Sequence, residues 1–192
     1  MSHQQLPNKV LRILAISGSL RATSSNTALL RAATTLAPES VNITVYGGLA
    51  DLPHFNPDLD GETAPPPVMD FRFHLQASDG VLICTPEYAH GVPGVLKNAL
   101  DWLVGSGEFV GKPVALINAS PRATHAQSSL TGTLTVMMAS LVAEASITVP
   151  LPSNKLDDAD IVSDPKVSSA LHSAIVAFAD AIKVSQAELG SR

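Results

Sequence analysis

Short runs rich in Val, Ile and Leu alternate along the chain with longer stretches whose apolar residues recur at helical spacing. This alternation constrains the fold more than any other feature. A strand that is apolar on both sides must be covered on both sides, and strands separated by helices pair in parallel through crossovers. The spacing predicts strands at Val10 to Ser17, Val41 to Tyr46, Gly80 to Thr85 and Pro113 to Ala119, with a short fifth at Ser146 to Val149. Between them it predicts helices over Ser25 to Leu36, up to about Ala77, over Pro93 to Leu103 and over Gln127 to Leu141. Val167, Leu171, Ile175, Phe178 and Ile182 form the stripe of a last helix. Gly47 to Pro67 reads as a long irregular connection and Pro152 to Pro165 as a polar loop. The expectation is a doubly wound α/β/α sandwich in three layers, built on a five-stranded parallel sheet. It forms one domain over residues 1–192, with residues 1–9 as a flexible tail.

Composition narrows what such a sandwich can do. Hydrophobic residues make up 45% of the 192 residues, enough for a substantial core, whereas charged residues reach only 15%, against roughly 25% in ordinary soluble proteins. So low a charge fraction points to some surface being covered by another subunit. A net charge of -5 with scattered Lys and Arg argues against a nucleic-acid or anionic membrane surface. The longest apolar stretch, Leu134 to Ala143, is broken by Thr135 and Ser140 and is shorter than a membrane span. The start, Met1 to Lys9, is polar and contains Pro7, unlike a signal peptide. A single cysteine excludes a disulfide framework and fits a reducing cytoplasm.

In a parallel sheet of this kind ligands bind outside the carboxyl ends of the strands, where strand order reverses. The loop after the first strand, Ser17 to Asn26, combines glycine, several hydroxyls and Arg21 immediately before a helix. Converging N–H groups, a helix N-terminus and a planar guanidinium are what a phosphate needs. The alternative is an ordinary turn with Ser24 or Ser25 as helix cap. Neither G-x-G-x-x-G nor G-K-[ST] occurs there, so a phosphomonoester suits the loop better than a pyrophosphate or triphosphate. The loop after the third strand, Thr85 to Gly94, is stiffened by Pro86 and Pro93 and carries Tyr88, an arrangement suited to the edge of a flat heterocycle or to a connector with Tyr88 packed inward. The loop after the fourth strand, Asn118 to His125, reads equally as a turn or as part of a site.

The segments GSLRATSSN at Gly18 to Asn26 and PEYAHGVPGVLKNALDW at Pro86 to Trp102 resemble the two signature segments of the NADPH-dependent FMN reductases, flavodoxin-like proteins that include quinone, azo-dye and chromate reductases. The resemblance implies a flavodoxin-like fold over nearly the whole chain and bound FMN. It implies that Ser19, Arg21, Ser24 and Asn26 hold the FMN phosphate, that Pro86, Glu87, Tyr88 and Ala89 lie along the isoalloxazine, and that Ser120 borders the ring or ribityl chain. Ala89 stands where the family often has Asn, so only backbone contact is implied there. Backbone amides at Glu87 to Ala89 and at Ser120 would meet the negative charge that reduction places on the flavin. The implied activity takes hydride from NADPH or NADH onto FMN and passes two electrons to a small-molecule acceptor such as a quinone or azo compound, with no side-chain acid or base required. A homodimer or homotetramer in the cytoplasm is implied as well.

Two readings without turnover stand beside the enzyme: a flavodoxin-type electron carrier and an FMN-binding regulatory module. Electron carriers of that type usually have strongly acidic surfaces and a phosphate loop without arginine, whereas this chain has Arg21 and a net charge of only -5. Other chemistries lack candidates. The six histidines show no ligand spacing, Asp158 and Asp160 fail the calcium-loop pattern at Val162, and no G-x-S-x-G elbow is present. No metal is expected. Cys84, inside an apolar strand pattern, reads as a core residue.

Overall fold

The computed structural model describes residues 10–61, 63–151, 153 and 155–190; the expected tail over residues 1–9 lies outside the described residues. Strands β1 (Leu11–Ser17), β2 (Val41–Val45), β3 (Gly80–Cys84), β4 (Pro113–Asn118), β5 (Ser140–Leu141) and β6 (Ile147–Thr148) form one sheet. Its order is β2-β1-β3-β4-β5, with β6 also on β4, and every pairing is parallel. The helices are α1 (Ser25–Leu36), α2 (Pro66–Ala77), α3 (Gly94–Asp101), α4 (Thr124–Val136), α5 (Asp158–Ser163) and α6 (Pro165–Gly190). β3 and β4 are buried at every residue, as strands between two helical layers must be. One layer packs α1, α5 and α6 on one face of the sheet, and the other packs α2, α3 and α4 on the opposite face. Strand order therefore reverses between β1 and β3, and the crevice at their carboxyl ends is the fold's natural ligand position.

Three local departures from the sequence reading have physical causes. The helix expected to run to Leu141 stops at Val136, because Met138 adopts a left-handed φ of 59° and Ala139 N–H closes back onto Leu134 O at 3.0 Å. Glycine usually occupies such a closing position, so a methionine there hides the stop. The expected fifth strand is present as β6, but a further two-residue strand, β5, takes the place of the end of the expected helix, with a 3-10 turn at Ala143–Ala145 between the two. The Ser146 hydroxyl bridges the gap, accepting from Leu116 N–H at 3.1 Å and donating to Val142 O at 2.8 Å. The supposed polar loop after Pro152 contains α5, started by a reciprocal capping box between Asp157 and Asp160 and anchored by the fully buried Ile161.

Among the described residues, one segment is long and apolar enough to cross a membrane by length and composition alone, Pro165–Glu188 within α6. Val167, Leu171, Ile175, Phe178 and Ile182 on it are buried in the core, which accounts for its apolar character.

Candidate functional site

The loops after β1, β3, β4 and β6 meet at one end of the sheet around a cleft of about 830 Å³, within the usual size of a small-ligand site. Of the residues singled out from the sequence, Asn26, Pro86, Glu87 and Ser120 line it directly. Ser24 sits beside them at the N-cap of α1, while Ser19, exposed Arg21, exposed Tyr88 and exposed Ala89 lie on the loops that rim it. Arg122, Leu151 and Ser153 also line the cleft and were not singled out. The strand that leads to Leu151 and Ser153 also ends at this edge of the sheet, so the rule about carboxyl ends was the available signal for them.

The β1–α1 loop is ordered by its own hydroxyls. Ser17 Oγ pairs with Thr27 Oγ1 at 2.8 Å, Ser19 N–H donates to Ser17 Oγ at 3.3 Å, and Arg21 N–H donates to Ser19 Oγ at 3.3 Å. The turn runs tight against β3, where Gly18 N–H donates to Cys84 O at 2.9 Å. The first turn of α1 contains no acidic residue, and the Ser24 side chain makes no capping bond although it is in the capping position. The simple capping explanation of these hydroxyls therefore fails. Helix N–H groups, the Ser24 hydroxyl and the side-chain nitrogen of Asn26 are left without partners among the described residues, next to the cleft. The Arg21 and Arg122 guanidinium groups likewise have no carboxylate partner among the described residues. Positive ends with unengaged donors are what an anionic phosphate requires.

In the β3–α3 loop, Tyr88 and Gly91 exchange two backbone hydrogen bonds of 3.1 and 3.0 Å around Ala89 and His90, both left-handed with φ of 48° and 60°. This is the two-residue hairpin geometry that Asn-Gly usually fills. Of the backbone donors expected to face a flavin, Tyr88 N–H is used in that hairpin and Ser120 N–H is used on Asn118 Oδ1 at 3.0 Å. The amides of Glu87 and Ala89 have no partner among the described residues.

The Glu87 side chain, 12% exposed, is held by neighbouring groups of the protein. Its Oε2 accepts from Ala126 N–H at 2.9 Å, in the first turn of α4, and its Oε1 meets His90 Nδ1 at 3.3 Å. His90 in turn stacks edge-on against His125, with ring centroids 4.6 Å apart. The Ala126 amide above all, helped by the His125 amide and His90, holds the Glu87 carboxyl below its ordinary value of 4.5 against the opposing effect of desolvation. A depressed folded value means that this carboxylate stabilises the fold above pH 4.5, and that the contribution fades as pH falls from there through the folded value. Glu87→Gln is therefore expected to lower the thermal midpoint most at neutral pH, the gap to the parent closing in acid. A gap independent of pH would show that the charge has no such role.

The second half of the Pro86 to Trp102 segment turns out to anchor the long connection after β2. Asn98 Nδ2 and Trp102 Nε1 both donate to Pro53 O, at 2.9 and 2.8 Å, and Asn98 Oδ1 accepts from Phe55 N–H at 2.8 Å. Lys97 and Asp101 form a surface pair four residues apart, worth only a few tenths of a kcal/mol.

Residues 11–151 match the family described as NADPH-dependent FMN reductase. Among curated proteins, an NAD(P)H-dependent FMN reductase of Pseudomonas aeruginosa is 41% identical over 112 residues, 57% of this chain and 60% of that protein. A quinone reductase of Pseudomonas putida is 40% identical over 121 residues, 60% of this chain and 63% of the relative. The chain thus matches about 60% of the length of these relatives. Among solved structures, FerB, a flavoenzyme NAD(P)H:(acceptor) oxidoreductase from Paracoccus denitrificans, superposes with a TM-score of 0.73 at 30% identity, covering 91% of this chain and 98% of FerB. Oxidised flavodoxin 1 of Bacillus cereus, at 14% identity and a TM-score of 0.58, shares the fold over 88% of this chain and 97% of its own.

Proposed function

The chain belongs to the NADPH-dependent FMN reductase family, and from that premise we propose that it is an NAD(P)H-dependent FMN-containing oxidoreductase acting on a quinone-like or azo acceptor. The observation that carries the proposal is the start of α1, where an uncapped helix N-terminus, the Ser24 hydroxyl and the side-chain nitrogen of Asn26 stand unengaged among the described residues, beside the cleft at the β1/β3 reversal. Ser19, Arg21, Ser24 and Asn26 would hold the FMN phosphate, the guanidinium by its two-pronged geometry and the others by hydroxyl and amide donors. Pro86, Glu87, Tyr88 and Ala89 would follow the ring, with the free amides of Glu87 and Ala89 as donors, Tyr88 at the rim and Ser120 on the opposite loop. When bound, FMN supplies the hydride acceptor and donor that the side chains of this site lack. The protein's part is to hold it, to orient it, and to keep donors in place where negative charge develops.

The same reading makes the protein a cytoplasmic homodimer or homotetramer. The exposed face of α4, with Ser128, Thr131, Gly132 and Thr135, supports an assembly, because the whole helix contains no Asp, Glu, Lys or Arg. Light scattering on the purified chain measures it, and a monomer would overturn this part.

The test of the activity is a visible spectrum of the purified protein followed by NADPH without oxygen. A flavin band that bleaches within seconds and returns on adding a quinone is the expected result; a flavin that stays oxidised would sink the enzyme and leave the carrier or regulatory module. Arg21→Ala is expected to retain less FMN through purification, and unchanged retention would remove this residue from the phosphate site.

A further inference from the structure

Cys84 ends β3 beneath the cleft and is wholly buried. Its thiol donates to Asn26 Oδ1 at 3.3 Å, across 58 residues of sequence. Asn26, in the first turn of α1, is 6% exposed, and that remaining surface faces the cleft. Its oxygen is thus turned inward onto the thiol, while its side-chain nitrogen has no partner among the described residues.

The two ends of a carboxamide differ in what they can do for an anion. The NH2 end donates to a phosphate oxygen; the carbonyl end repels it. Rotation about the last torsion exchanges them at little cost unless something nearby accepts only one arrangement. In the structure the Cys84 S–H group is the donor, and only the carbonyl end of Asn26 can accept from it. Burial pushes the Cys84 thiol far above its ordinary value, so the donor proton stays in place at neutral pH.

We propose that Cys84 is a positioning residue for the cofactor: by donating to Asn26 Oδ1 it fixes the Asn26 amide with Nδ2 facing the cleft, where it donates to a phosphate oxygen of FMN. The proposal rests on the reading of Asn26 as a phosphate ligand given above. It assigns Cys84 no reactivity. It also explains why a polarisable S–H group stands at the end of β3, a place where any apolar residue of similar size would satisfy the packing.

The test is titration of the apoprotein with FMN and, as a ligand without phosphate, riboflavin. Cys84→Val, larger by about one methyl group, removes the donor; it is expected to weaken FMN about three- to tenfold, the effect of one hydrogen bond, and to leave riboflavin affinity unchanged. Cys84→Ser, which returns an O–H donor, restores FMN affinity, and the phosphorus NMR signal of bound FMN shifts in the valine variant and returns in the serine one. Should valine not fit, Cys84→Ala gives the same comparison. If the valine variant binds FMN like the parent while Asn26→Ala binds it weakly, the role of Cys84 is overturned and that of Asn26 stands. If Asn26→Ala has no effect, both are overturned. An equal loss for FMN and riboflavin in the valine variant also overturns the proposal, because it reports packing rather than orientation.

Discussion

Gly18→Ala is expected to empty the cofactor site and destabilise the fold together. The β1–α1 turn passes so close to β3 that a Cβ on Gly18 would lie 2.1 Å from Thr85 Oγ1 and 2.7 Å from Thr85 Cβ, with Leu96 Cδ2 at 3.1 Å. Thr85 is 5% exposed and Leu96 fully buried, so neither can swing aside. The loop must lift instead, which breaks the 2.9 Å bond from Gly18 N–H to Cys84 O and displaces the hydroxyl ladder through Ser17 and Ser19. Overpacking of this kind costs about 1–3 kcal/mol, and each kcal/mol lowers the melting temperature of a protein this size by roughly 2–4 °C. Loss of FMN should exceed the loss of stability, because phosphate donors must converge on one point. Differential scanning calorimetry and flavin content per chain measure the two effects. The double variant with Thr85→Ala, which removes the nearest clashing atom, should recover part of both. A Gly18→Ala protein with parental melting temperature and flavin content would refute the close-approach account.

The larger stability loss is expected at Trp102. The ring is fully buried in the layer of α2, α3 and α4, meets Phe55 edge-on at a centroid distance of 5.1 Å, and donates from Nε1 to Pro53 O at 2.8 Å. Its backbone oxygen accepts from Arg72 Nη2, which also binds Asp60, so the same residue ties α2 and the long connection to the end of α3. Trp102→Ala should cost about 3–5 kcal/mol through the cavity alone. Trp102→Phe keeps most of the apolar contact and leaves Asn98 as the donor to Pro53 O, so a loss of about 1 kcal/mol is expected, that of one net hydrogen bond. Trp102 is the only tryptophan, so denaturant unfolding has to be followed by circular dichroism. A protease probe should find the segment between Gly48 and Leu59 cut faster in the alanine variant. An alanine variant as stable as the parent would show that the connection is anchored elsewhere.

Much of the architecture was legible in the sequence. The limits Ser25–Leu36 of α1 agree with the apolar spacing, and the strand cores β1 to β4 fall where branched apolar runs occur. Misreadings arose where a local signal was carried by an unusual residue. Met138 closes α4 without glycine, and α5 is short and acidic, held by Asp157 and one buried isoleucine. The short β5 could not be read, since it depends on pairing with Pro113 and Val114, residues on a different strand.

The candidate site divides along the same line. The sequence by itself determined which loops offer a phosphate-binding pattern, because glycine, hydroxyls and arginine before a helix form a local pattern, and it determined the layered parallel fold, because periodicity is local too. Tertiary structure decided which groups in those loops remain available. Glu87, expected along the flavin ring, is engaged with Ala126, 39 residues away; Trp102, inside the same motif, is engaged with Pro53, 49 residues away; Asn26 owes its orientation to Cys84, 58 residues away. A hydrogen-bonding side chain shows its capacity in the sequence, but its partner is fixed only when distant segments pack together, and a buried polar group takes whatever partner that packing brings.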